Sequence, residues 1–283
     1  MSALQPDELG CCFPSPADRG NSESPPRIAI ANSQPMMLEV LVQTVRQVGA
    51  VVPFTATSAS EARERAREAV PDGMLFAFDL PDRNGAHLFA HLRREQSGLW
   101  GLALGDAAIP AHLALTHRAG ALGFLSRTLT CSALAAALQR ALAGQALWKP
   151  EQVDSADQWW AQFGAPWQRL SPRQRQVAWA VAQRLGHKQT AFWLGIREST
   201  VKTHLKTILA KTELPSREDL TMWMRAGRLE DPLVYTLLGL EGPCPAEADA
   251  HPLIERVARR TGGGEAERRP ESPCRMRPVG FTN

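Results

Sequence analysis

The sequence predicts an α/β, doubly wound domain with five parallel strands, followed by a small all-α domain of the helix-turn-helix kind. Three observations lead there. Residues 27–147 alternate short, continuously apolar runs with helix-length amphipathic segments, the pattern left by strands that crossover helices cover on both faces. Residues 188–211 read as two helices joined tightly at Gly195-Ile196. Charge is also segregated: the 283-residue chain carries only +3, yet residues 167–228 hold twelve Lys+Arg against four Asp+Glu, a local +8.

The elements follow in order. Residues 1–26 place Pro6, Pro14, Pro16, Pro25 and Pro26 among Ser, Asp and Gly, a composition that cannot bury enough apolar surface to order itself. The first domain is expected over 27–147, with strands at Ile28–Ala31, Val51–Phe54, Met74–Phe78, Leu102–Leu104 and Gly123–Leu125. Helical periodicity fills the intervals: Met37–Val48, with Leu38, Leu41, Val42 and Val45 inward, then Ser60–Ala69, Ala86–Arg94, Pro110–Arg118 and Cys131–Ala143. In a sheet of this kind function collects at the carboxyl ends of the strands.

Residues 148–166 read as a linker that is acidic at Glu151, Asp154 and Asp157. Trp148, Trp159 and Trp160, with Trp167 just beyond, imply that the linker docks its aromatics on a domain. The second domain is expected over 167–230. Residues 231–283 read as a mostly disordered tail, with one short helix over Pro252–Arg260 that sets Ile254, Val257 and Ala258 on one side.

In the second domain Val201, Leu205, Ile208 and Leu209 form one apolar stripe, so Ser199, Lys202, Thr203, Lys206 and Ala210 face outward together. Ser199 or Arg197 closes the N-terminus of this helix. Before it, Lys188–Leu194 offers a shorter helix with Ala191 and Leu194 inward. Lysines one turn apart can reach guanine acceptors or phosphates in a major groove, and threonine hydroxyls can meet phosphate or base edges. The same helix taken alone is equally the solvated face of a core, but the concentrated charge is the footprint of polyanion binding.

A membrane surface is the competing polyanion. No apolar run approaches about 18 residues, and neither a signal-peptide nor a lipidation pattern is present. The five cysteines, Cys11, Cys12, Cys131, Cys244 and Cys274, have no zinc or disulfide spacing, which suits a reducing cytoplasmic compartment. Paired carboxylates, a metal cluster, a Walker loop and a nucleophile motif are all missing from the pattern, so neither enzymatic activity nor a cofactor or metal is expected.

From Leu170 to Leu220 the chain reads LSPRQRQVAWAVAQRLGHKQTAFWLGIRESTVKTHLKTILAKTELPSREDL and resembles, over about sixty residues, the output domain of LuxR/NarL-type transcription regulators. Leu170-Ser171-Pro172-Arg173 and Thr200-Val201-Lys202-Thr203-His204 match that family's motifs. Gln174 stands where Glu is usual, and His187, Gln189 and Thr190 where Asn, Glu and Ile are usual, so the resemblance implies a lost internal carboxylate brace. It further implies that Lys202, Thr203 and Lys206 face bases of double-stranded DNA, while Lys188, Thr200, His204 and Lys211 hold the backbone. The family pairs through its last helix, which implies a homodimer. Here Leu220–Met224 with Trp223 offers apolar surface, although Trp223 reads equally well as core.

The stretches AVPDGMLFAFDLPDRNGAHLFAHLR and AGALGFLSR resemble the flavodoxin-like receiver domain of two-component response regulators. The resemblance covers about 120 residues. It implies an acidic pair after the first strand, a nucleophilic Asp ending the third, Ser/Thr ending the fourth and Lys ending the fifth. At those places stand Asn32 and Ser33, Ala77, Gly105 and Arg127. Alanine cannot take a phosphoryl group, and neutral groups hold a hard cation poorly. Asp79 becomes the nucleophile only if the register slips by two, against the anchors Pro71 and Pro81. The expectation is therefore a pseudo-receiver, kept for dimerisation or for a small-molecule or protein partner, with its pocket either open to a small anion or filled and inert. A phosphorylation-dependent response regulator and a protein-interaction adaptor that has lost DNA binding are the other function classes.

Overall fold

A computed structural model describes residues 24–231 and Val234. The remainder of the tails expected at 1–26 and 231–283, and the helix expected over Pro252–Arg260, lie outside the described residues. The chain divides into two compact units between Asp157 and Gln158.

The first unit is the expected parallel sheet: β1 (Ile28–Ala31), β2 (Thr55–Ala56), β3 (Gly73–Ala77), β4 (Trp100–Gly105) and β5 (Gly123–Ser126), in the order β2-β1-β3-β4-β5. Every residue of β1, β3 and β4 is buried, which is why these strands read as unbroken apolar runs rather than alternations. Ile30, Leu75 and Leu102 pack with Leu41 and Val45 of α1 (Pro35–Gln47) and Leu138 of α5 (Cys131–Leu142). Facing the other way, Phe76 stacks on Phe89 of α3 (Gly85–Glu95) with ring centroids 5.1 Å apart. α2 (Ala59–Ala69) and α4 (Pro110–Arg118) complete the crossovers.

The second strand lies later than expected. Over 51–54 the backbone does run beside β1, with Ile28 N–H donating to Val51 O and Ile30 N–H to Phe54 O. Pro53 has no N–H to return, so the paired strand forms only at Thr55–Ala56. Capping side chains set the helix starts: Ser58, Asn84 and Thr130 each accept a backbone N–H at the head of α2, α3 and α5.

The stretch expected as a linker is helical. α6 (Pro150–Trp159) passes into a π-helical turn over Trp160–Gly164 and then α7 (Ala165–Gln168). Trp148 belongs to the first unit, where its Nε1–H donates to Ala121 O at 2.8 Å and its ring meets His117 edge-on. In the second unit Trp167 is fully buried, and Phe163 and Trp167 lie 5.8 and 6.5 Å from Trp223. α8 (Pro172–Ala182), α9 (His187–Leu194), α10 (Glu198–Thr212) and α11 (Arg217–Ala226) complete this unit.

Candidate nucleic-acid interface and strand-end pocket

The interface is built by a turn and a stripe. α9 ends at Gly195, whose φ of +63° is the left-handed conformation that glycine adopts without a Cβ penalty. α10 then begins with Arg197 at its N-cap position. Neither Arg197 nor Ser199 accepts a capping hydrogen bond, and Ser199 falls inside the helix. Val201, Leu205 and Ile208 are buried, so the opposite face is turned to solvent.

On that face Lys202, Thr203 and Lys206 are exposed, and Thr200 and His204 are half-buried at its edges. The Lys202 ammonium reaches back one turn to Glu198 Oε1 at 3.2 Å. Thr203 Oγ1–H donates to Ser199 O at 3.1 Å, which holds the hydroxyl along the helix axis. Lys188 is exposed on α9.

Lys211 is placed differently from those side chains. Its ammonium donates to Arg169 O at 2.9 Å and to Gln174 Oε1 at 3.0 Å. Gln174 Oε1 also accepts from Ser171 N–H at 2.9 Å, closing a capping box at the head of α8. The amide oxygen thus occupies the bracing position that the resemblance assigns to a carboxylate.

Other cations are likewise turned inward. Arg173 donates to Leu194 O, Arg175 Nε–H to Trp167 O at 3.2 Å, and Arg217 to Leu185 O. The excess of +8 therefore overstates the charge available to a ligand. A sequence count registers sign but not direction. Trp223 resolves in favour of core: it packs on Phe163 and Trp167, and its Nε1–H donates to Gln162 O at 3.0 Å. Leu220 and Met224 are fully buried, which leaves Met222 as the exposed large apolar residue of α11.

At the carboxyl edge of the sheet, parallel register sets side by side the strand ends that carry or precede Asn32, Ser33, Ala77, Gly105 and Arg127. Ala31 pairs with Phe76, Ala77 with Leu104, and Gly105 with Ser126. Asn32 is buried, and its Oδ1 accepts from Gln34 N–H at 2.9 Å to form a turn into α1. Ser33 is exposed, and Ala77 is buried at the tip of β3.

Aromatic groups crowd the β4 tip. Phe78 stacks on His112 with centroids 3.9 Å apart, and a Cβ on Gly105 would lie 2.6 Å from Phe124 Cζ and 3.2 Å from Phe78 Cβ. Across the mouth Arg127 Nη2 pairs with Asp79 Oδ2 at 2.8 Å. This crowding and pairing were not foreseeable from the motif positions, because Phe78, His112 and Phe124 are far apart in sequence. Among the described residues, no group of three or more His, Cys, Asp or Glu is placed to hold a metal ion.

Comparison with known proteins agrees with both halves. Residues 28–139 match the response regulator receiver domain, and residues 168–224 match the bacterial regulatory proteins of the luxR family. The chain is a LuxR/NarL-type response regulator. Similar curated response regulators include the nitrate/nitrite response regulator protein NarL of Escherichia coli K12, 26% identical over 214 residues that cover 74% of this chain and 99% of NarL. The transcriptional regulatory protein DesR of Bacillus subtilis is 24% identical over 191 residues, covering 67% of this chain and 92% of DesR. Among solved structures, that of two RcsB dimers bound to two parallel DNAs gives a TM-score of 0.46 at 16% identity, covering 72% of this chain and 99% of the other.

Proposed function

We propose that this response regulator is a sequence-specific, DNA-binding transcription regulator that acts in the cytoplasm as a homodimer, without aspartyl phosphorylation. The observation that carries the DNA reading is α10 itself: Lys202, Thr203 and Lys206 are exposed opposite the buried Val201, Leu205 and Ile208. A helix entering a major groove needs one slim, hydrogen-bonding, cationic face and one face anchored in a core. Lys202, Thr203 and Lys206 are assigned to bases, and Lys188, Thr200 and His204 to the backbone. Lys211 is reassigned from the backbone to bracing, because two of its three donors are engaged within the unit. The names of the relatives, NarL a response regulator and DesR a transcriptional regulatory protein, favour the same function. Two copies on a pseudo-palindromic site would add their contacts, and this favours a dimer.

Independence from phosphorylation is supported by the strand ends. Ala77 offers no carboxylate, Asn32 is engaged in a turn, and aromatic rings crowd the place where a hydroxyl would stand. The pocket is read as filled and inert rather than open to an anion, so a protein partner on the first unit's surface becomes the more economical input.

Two measurements test the proposal. The full chain should retain specific fragments from sheared genomic DNA, and Lys202→Ala with Lys206→Ala should abolish that selection. Incubation with Mg²⁺ and a small phosphodonor should leave the intact mass unchanged. A phosphoryl adduct on Asp79 would end the claim of independence while leaving DNA binding intact.

A further inference from the structure

We infer that Glu198 is a specificity-determining residue, whose carboxylate accepts a hydrogen bond from cytosine N4 in the major groove while Lys202 takes the guanine of the same base pair. The inference rests on the DNA-binding reading above. Between Pro172 and Thr212 Glu198 is the only carboxylate, and it stands in the first turn of α10. A negative charge at the head of a helix that meets a polyanion repels phosphate, so it weakens binding to every sequence alike. Such a group raises selectivity only where one sequence offers it a donor.

Its position supplies that opportunity. Spacing of four residues sets Glu198, Lys202 and Lys206 in one row along α10. The N-terminal residues of a recognition helix are those that reach base edges, and Glu198 precedes Lys202 by one turn. Glu198 Oε1 holds the Lys202 ammonium at 3.2 Å, with the glutamate side chain 36% exposed and the lysine side chain 60% exposed. Both groups are accessible to a ligand, and each engages the other.

Base chemistry decides what separates them. In the major groove geometry favours Lys with guanine O6 and N7, and a carboxylate with cytosine N4. A G·C pair presents all three groups on one edge, so it exchanges the internal ion pair for two contacts at once. An A·T pair sets its N6 donor between two acceptors, adenine N7 and thymine O4, and a carboxylate aimed there is repelled from both sides. On such a pair the ion pair stays closed and Lys202 is withheld from the base. An acidic residue in the first turn also suits the positive end of the helix dipole, and no side chain caps α10 at Arg197. That role alone predicts a change in stability and none in base preference.

The test uses the full chain, a fragment it selects from sheared genomic DNA and random-sequence DNA of equal length. Affinity is measured across a salt series for the parent, Glu198→Ala and Glu198→Asp. Glu198→Ala should bind random DNA about threefold more tightly. Its slope of log affinity against log salt on random DNA should steepen by about 0.9, as Lys202 becomes free for phosphate. The ratio of selected to random affinity should fall about tenfold, within the range that one good base contact supplies. Base selection repeated with Glu198→Ala should lose a preference for cytosine at one position of the site and keep the others. Glu198→Asp keeps the charge and the dipole contact on a shorter stem, so it should lose discrimination without gaining affinity for random DNA.

Three outcomes overturn the inference: discrimination by Glu198→Ala within about twofold of the parent, a preference lost at a base other than cytosine, or Glu198→Asp binding as the parent does while Glu198→Ala only melts earlier. If the parent itself binds no DNA at low salt, the DNA reading falls and takes this contact with it. Parent binding with unchanged discrimination in Glu198→Ala removes this contact alone.

Discussion

Lys211 separates a structural role from a DNA contact. Lys211→Met keeps the alkyl stem and deletes the ammonium that joins α10 to Arg169 O and Gln174 Oε1 at 2.9 and 3.0 Å. A hydrogen bond from a charged donor contributes about 1.5–3 kcal/mol net when shielded. Here Arg169 is exposed and its carbonyl can turn to water, while Gln174 Oε1 keeps Ser171 N–H, so neither acceptor is orphaned. The expected cost is therefore about 1–2 kcal/mol. For a unit of this size that corresponds to a fall of roughly 4–16 °C in its melting temperature. Differential scanning calorimetry of the full chain, with tryptophan emission reporting the Trp-rich second unit, reads the shift. If Lys211→Met melts with the parent and instead lowers the salt slope of DNA binding by about 0.9, Lys211 is a phosphate contact and the bracing assignment fails.

Three further outcomes are expected. Gln174→Glu should raise the melting temperature of the second unit, since a carboxylate facing Lys211 turns a bond with one ionised partner into an ion pair worth about 1 kcal/mol more; a fall would mean that burial of the new charge dominates. Gly105→Thr should destabilise the first unit by about 1–3 kcal/mol in urea unfolding, because its Cβ collides with Phe124; a neutral result would show that the β4 tip has room for the hydroxyl. Acidification from about pH 7.5 to 5.5 should also lower the stability of the first unit. Burial holds the His87 imidazole below its ordinary value, with Arg83, His91, Arg94 and Arg63 adding to the effect, and burial holds His117 down against Asp157 and together with Arg118. The unfolded histidines take protons more readily, so stability is full above about pH 6.5 and is lost below it. His87→Gln should shrink that loss in thermal melts at the two pH values, and a melt that rises on acidification would contradict the sign.

The sheet was legible because parallel strands buried on both faces leave uninterrupted apolar runs, and the helices between them show a 3.6-residue period. Pro53 moved β2 because the ladder needs an N–H there, a requirement that an apolar run does not reveal. The outward stripe of α10 was legible for the same reason of period: once Val201, Leu205 and Ile208 face inward, Lys202 and Lys206 cannot. The roles of Lys211, Arg173, Arg175 and Arg217 were not legible. Their partners are mostly backbone carbonyls, which every residue carries and which no side-chain pattern marks.

Periodicity and residue type are local properties, and they were enough to set the two architectures, their order and the chemical identity of the groups at the strand ends. Packing in three dimensions settled which cations are turned inward, that Trp223 is core, that Phe78, His112 and Phe124 crowd the β4 tip, and that Arg127 pairs with Asp79. Those outcomes depend on which distant segments packing brings within a few ångströms of one another.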